Sequence, residues 1–140
     1  MPNTMTMYTR DLGIRALFTP SDYVPITSLE VALTRHVAPN NADLSQIVEP
    51  TDPLYERQPY GLDSAYWAPT GFGTLYSTQL VEWTMVLENT WGLIAGWVLI
   101  DPVGGQVINT GSIIRPYEAS TGITPRLPPG SMVVGFSDAS

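Results

Sequence analysis

Apolar positions are densest in residues 91–114, WGLIAGWVLIDPVGGQVINTGSII. The run from Leu93 to Ile100 is apolar on both alternating faces, which predicts a central strand buried on both sides. Asp101-Pro102-Val103-Gly104-Gly105 follows as a turn, and residues 106–114 read as a second strand. Proline fixes one φ and glycine supplies positive φ, so the stretch predicts a β-hairpin.

The rest of the chain falls around this hairpin. Residues 1–7 are polar and uncharged, a frayed end or an arm that orders on a neighbour. Residues 9–18 predict a short helix capped by Thr9, with Asp11 in its first turn and Ile14, Leu17 and Phe18 on one face. Pro20 and Pro25 bracket a loop. Residues 29–35 alternate, with Leu29, Val31 and Leu33 on one side, and predict a half-buried strand. Residues 37–53 read as a long polar loop, a length that is usually functional or interfacial.

Residues 55–61 predict a strand that Pro59 confines to an edge or a bulge. Residues 64–69 and 72–78 read as short strands around Thr70-Gly71. Residues 81–87 alternate, with Val81, Trp83, Met85 and Leu87 inward and Glu82 and Glu88 outward. A Pro/Gly-rich link spans 116–130, and a last strand spans 132–136. Many short strands with frequent turn signals predict an all-β protein, an antiparallel β-sandwich of jelly-roll or Ig-like kind. The organisation is then an N-terminal arm and short helix over 1–19 and one sandwich domain over 20–140.

Composition narrows the function. The chain has 140 residues and a formal net charge of −7, which disfavours nucleic acid and anionic membranes as partners. All six basic residues are arginine, so lysine chemistry is absent and sheet edges lack their commonest blunting side chain. There is no cysteine, hence no disulfide or thiolate nucleophile. No apolar run approaches the length of a membrane span.

A search for chemistry yields no catalytic constellation. His36 is the single histidine, and no Gly-x-Ser-x-Gly elbow accompanies it. Glu82 and Glu88 on one strand face would stand roughly 20 Å apart, against about 5–10 Å for a glycosidase pair. Asn40, Asn41, Asp43 and Asp52 lack the spacing of a calcium loop. No cofactor or metal is expected. Trp83 and Trp97 read as core, whereas Trp67 and Trp91 at strand ends read as exposed aromatics.

The segment order resembles small β-rich virion proteins of tailed bacteriophages, the head decoration, head fibre and tail-fibre-like family. The resemblance rests on Leu29-Glu30-Val31-Ala32-Leu33, on Tyr55-Glu56-Arg57-Gln58, and on Trp91-Gly92-Leu93-Ile94 with Leu99, Asp101, Gly104 and Gly105. A closing Pro129-Gly130-Ser131-Met132-Val133-Val134 with Ser137 completes it. Asp52-Pro53-Leu54 stands where that family is Gly-rich. The resemblance implies a non-enzymatic virion protein, a capsid decoration (cement) protein that binds the major capsid protein and sister subunits, a trimer being one common solution. Its contacts are expected from the N-terminal segment 1–18 and the 37–53 loop, with Phe18, Asn40 and Asn41 among them, and Arg10, Arg15 and Arg57 are expected to pair with acidic groups on the shell or on sister subunits. The alternative is a tail or fibre protein touching a host receptor or glycan through Tyr60, Tyr66, Trp67 and Trp91.

Overall fold

The computed structural model describes residues 4–22, 24–39, 41–71 and 73–135. The chain is mostly β, with antiparallel sheets and one N-terminal helix. Its strands are β1 (Thr4–Met5), β2 (Leu29–Thr34), β3 (Gln58–Tyr60), β4 (Trp67–Gly71), β5 (Thr74–Ser77), β6 (Val81–Glu82), β7 (Gly92–Asp101), β8 (Gln106–Ala119), β9 (Arg126–Leu127) and β10 (Val133–Gly135). Helix α1 spans Met7–Phe18, and 3₁₀ turns occupy Pro20–Asp22 and Leu44–Gln46. A five-stranded sheet has the order β1-β8-β7-β2-β3, and β10-β5-β4 and β6-β9 form two smaller sheets.

The predicted hairpin is the centre of the large sheet. β7 and β8 pair from Gly92↔Ala119 to Asp101↔Gln106, and β7 is buried on both faces from Ile94 onward. At the turn, the Asp101 carboxylate accepts from the Val103 and Gly104 N–H groups (both 3.1 Å), and Gly105 supplies φ +66°.

One face of the sheet carries Leu29, Val31, Leu33, Trp97, Leu99 and Ile108, packed with side chains from the smaller sheets such as Trp67, Val81 and Leu127. The opposite face carries Ala32, Val98, Ile100 and Val107, and here the cover is the 37–53 loop, through Ala38, Ala42, Leu44 and Ile47. β2 is therefore buried on both faces, where alternation predicted half-burial; Ala32 and Thr34 face a loop rather than water. β3 is the sheet edge that Pro59 predicts, with Pro59 opposite Glu30.

Three further expectations change. Regular pairing in 81–87 stops at Glu82, and Trp83 and Val86 turn inward while Met85 and Leu87 are exposed. The cause is an irregular crossing held by Trp83 N–H to Pro125 O (2.9 Å) and Val86 N–H to Ile123 O (2.8 Å). The 116–130 link contains the end of β8 and β9. The N-terminal segment is more than an arm, because β1 pairs with β8 through Thr4↔Thr110 and Met5↔Asn109. Among the described residues no helix is long and apolar enough to cross a membrane.

Trp97 and Gly111 face each other across β7 and β8. A Cβ on Gly111 would lie 2.3 Å from the indole. Gly111→Ala is expected to cost about 1–3 kcal/mol by overpacking, read from urea unfolding. Gly71→Ala, which meets open space at negative φ, is the control expected to stay within about 0.5 kcal/mol.

Candidate functional site: an exposed helix end and a cleft beside β8

α1 begins two residues earlier than its sequence predicts, and Thr6 caps it instead of Thr9. Thr6 is extended and buried, its Oγ1 accepts from the Thr9 N–H (3.4 Å), and its hydroxyl donates to Val107 O (2.6 Å). The Asn41 side-chain oxygen accepts from the Met7 N–H (2.9 Å), with Asn41 itself at φ +56°. Tyr8 donates to the Asp101 carboxylate (3.0 Å), which ties the helix to the hairpin turn. Four orphan N–H groups open any helix, and these contacts satisfy part of that need.

The far end of α1 is bound to nothing comparable. From Ile14 to Phe18 every residue is exposed, and Leu17 and Phe18 are each 78% accessible. The face shared by Ile14, Leu17 and Phe18 is the one predicted, yet it covers no core of its own chain. Asp11 falls in the second turn and pairs with Arg15 (2.7 Å), so Arg15 is engaged within its own helix. Arg10 is half-buried against the body, its Nε without a partner among the described residues.

β8 makes the second feature. Ile94 pairs with Tyr117 and Gly96 with Ser112, so residues 113–116 stand opposite Ala95 alone. This wide bulge throws Ile114 outward to 96% exposure. Pro116 cannot donate to a ladder, which suits it to such an excursion. Two clefts flank the bulge. One, of about 280 Å³, has Trp97 and Leu127 in its wall and Arg115 and Arg126 at its rim. The other, of about 540 Å³, runs between Ile113, Pro116 and Val133. Both share Ser112, Ile113, Ile114 and Ser131, and neither is lined by a carboxylate or imidazole. Arg126 pairs with Glu82 (3.0 Å), while Arg115 has no ion pair among the described residues.

Several expected contact residues lie elsewhere. Arg57 does not reach outward: its guanidinium grips Glu49 through two hydrogen bonds (2.9 and 3.0 Å) and lies 3.9 Å from Glu30. Those bonds to Glu49 hold its pKa up against partial desolvation. Trp91 is 3% exposed and stacks edge-on against Tyr55; Trp67 and Tyr60 are likewise buried, 5.1 Å apart, so none of the three is an exposed aromatic. Their strand ends point into the gap between sheets, where Trp67 donates to Gly61 O (2.8 Å) and Tyr60 to Tyr66 O (3.0 Å). Tyr66 remains half-buried. The 37–53 loop is largely spent on covering the sheet, although Asn41 and Val48 are exposed. Asn40 lies outside the described residues. His36 is exposed at the end of β2, and the described residues contain no cluster of three metal-ligating side chains.

The sequence of 106–114 reads as an unbroken strand and carries no sign of the bulge itself. Pro116, two residues on, is the signal that announces it. A scan against protein-family models returns no match, and a search of curated proteins finds none either.

Beneath the loop, Tyr55 donates to Glu49 (2.8 Å) and accepts from the Leu33 N–H (3.0 Å). Burial, then the Glu49 charge, pushes its pKa well above the ordinary tyrosine value. A raised folded pKa means the native state keeps a proton that the unfolded chain releases near pH 10, so this stability is present below that pH and lost above it. Tyr55→Phe is expected to cost about 1–3 kcal/mol at neutral pH. It should also flatten the loss of stability between about pH 10 and 11. Denaturant titrations across that range measure both; an unchanged alkaline slope would count against the assignment. Tyr8 and Tyr117, also raised by burial, supply the residual slope.

Proposed function

We propose that the chain is a structural protein of a bacteriophage virion, a capsid decoration protein that bridges and stabilises major capsid subunits and associates with sister copies. In this reading the two larger sheets enclosing one core make an antiparallel β-sandwich, jelly-roll or Ig-like. The observation that carries it is the apolar end of α1. Ile14, Leu17 and Phe18 are displayed on a helix whose other end is tied to the sheet, and exposed apolar patches with polar rims mark interaction surfaces. The virion part leans on the resemblance of the Trp91 to Gly105 segment. The acidic, cysteine-free composition is in keeping with a partner other than nucleic acid.

A decoration protein adds a modest contact at each of many equivalent lattice sites. Binding the assembled shell and not the free subunits stabilises the shell by mass action, and bridging two subunits multiplies the effect. The apolar end of α1 suits the association with sister copies on that lattice, since a helix tied to the sheet at its other end loses little order on docking. The tail or fibre reading loses its aromatic surface, because Tyr60, Trp67 and Trp91 are buried within the chain.

Cryo-electron microscopy of particles carrying the chain tests the reading. Regular density over the capsid lattice is the expected result, and Leu17→Asp/Phe18→Asp is expected to reduce occupancy at least tenfold. Density confined to the tail would transfer the chain to the fibre class, and density nowhere on the particle would overturn the virion reading.

A further inference from the structure

We infer that copies of this chain join by seating the apolar end of α1 from one copy in the cleft beside the β8 bulge of the next. The inference rests on the self-association in the reading above and not on the capsid. Two apolar surfaces on one chain are left uncovered by it. One is the convex helix end, Ile14, Leu17 and Phe18; the other is the concave cleft whose accessible apolar lining is Ile113 and Pro128, with Ile114 at its lip. Convex against concave is the shape relation that an interface core requires.

Charge gives the orientation. A helix C-terminus carries a partial negative charge on its unpaired carbonyls, and cations beside it are favourable. Arg115 stands at the cleft rim, with no ion pair among the described residues. In a chain of net charge −7, such a guanidinium beside an apolar cleft fits the end of a helix. The last turn of α1 brings Leu17 and Phe18 for the cleft and its terminal carbonyls for Arg115.

The two surfaces do not meet within one copy. α1 is anchored at Val107 and the Asp101 turn, at one end of β8. The cleft begins at Ser112, toward the other end. The contact is therefore between copies, each with one surface to give and one to receive, met either reciprocally about a two-fold axis or head-to-tail. The head-to-tail form closes into rings or continues as filaments.

The absence of cysteine allows a direct test with the full chain. Wild type is expected to be an oligomer by light scattering. Leu17→Asp/Phe18→Asp and Ile114→Asp, both at exposed positions, are expected to be monomers with unchanged circular dichroism, their association weakened on the order of 100-fold. Mixed together they should form a one-to-one dimer and nothing larger, since one intact helix end meets one intact cleft. A mixture of Phe18→Cys and Ile114→Cys chains should trap that dimer as a disulfide under mild oxidation. A monomeric wild type would overturn the inference, as would an Ile114→Asp chain that still oligomerises, which is the result a helix-to-helix contact would give. Capsid occupancy by an Ile114→Asp monomer separates the two readings: binding that persists leaves the decoration role standing whatever the self-contact proves to be.

Discussion

The structure depends on one constraint: β7 is apolar on both faces and must be covered on both. The two covers are unequal. One is made of sheets, with Trp67, Val81, Trp83 and Leu127 closing over Trp97 and Leu99. The other is a loop, thin enough to approach because its contact residues include Ala38 and Ala42 against Ala32. A loop can serve as a layer only if its backbone is satisfied without a ladder. Here Arg35 N–H donates to Val48 O (2.8 Å), Asp43 and Gln46 cap one another across a 3₁₀ turn, and Tyr55 supplies an acceptor to Leu33. Glu49 and Arg57 then clamp the far end of the loop near Glu30 of β2.

The same constraint shapes β8. Trp97 occupies the space above Gly111, so the two strands stay in register there only because position 111 has no side chain. Beyond Ser112 the pairing cannot continue residue for residue. Pro116 has no N–H to offer, and residues 113–116 leave the ladder before Tyr117 rejoins it opposite Ile94. The cleft is the space that this detour opens between the large sheet and the 128–133 segment. A packing decision deep in the core thus has its outcome at the surface.

What was legible in the sequence was local. The two-sided apolar run, the Asp-Pro-x-Gly-Gly turn and the edge-forming Pro59 each carry their cause within a few residues. The misreadings concern long-range closure. Trp67 and Trp91 sit at strand ends, a position that suggests exposure until the second layer arrives from segments far away in sequence. Met85 and Leu87 follow an alternation that the crossing against Pro125 and Ile123 breaks. The helix start is displaced because Thr6 is held by β8 and Met7 by Asn41 of a loop far along the chain, neither of which local propensity registers. Arg57 faces a partner only by the resemblance; its acceptor, Glu49, stands in the 37–53 loop, and no local pattern marks that pairing.

Edges decide what kind of association such a chain permits. Without lysine, its sheets need other protection against strand-to-strand growth. β3 ends one side with Pro59, whose nitrogen cannot donate. On the other side, among the described residues, β1 covers β8 at Asn109 and Thr110, and the stretch that follows is carried out of register by the bulge. A partner therefore meets side chains rather than a ready ladder. Side-chain surfaces select for shape and charge at a contact, whereas an open ladder accepts any extended chain. A protein that associates at fixed positions and fixed stoichiometry needs the first kind of surface and must suppress the second. The Pro116 detour does both at once, since the residues that spoil the edge are the ones that build the cleft.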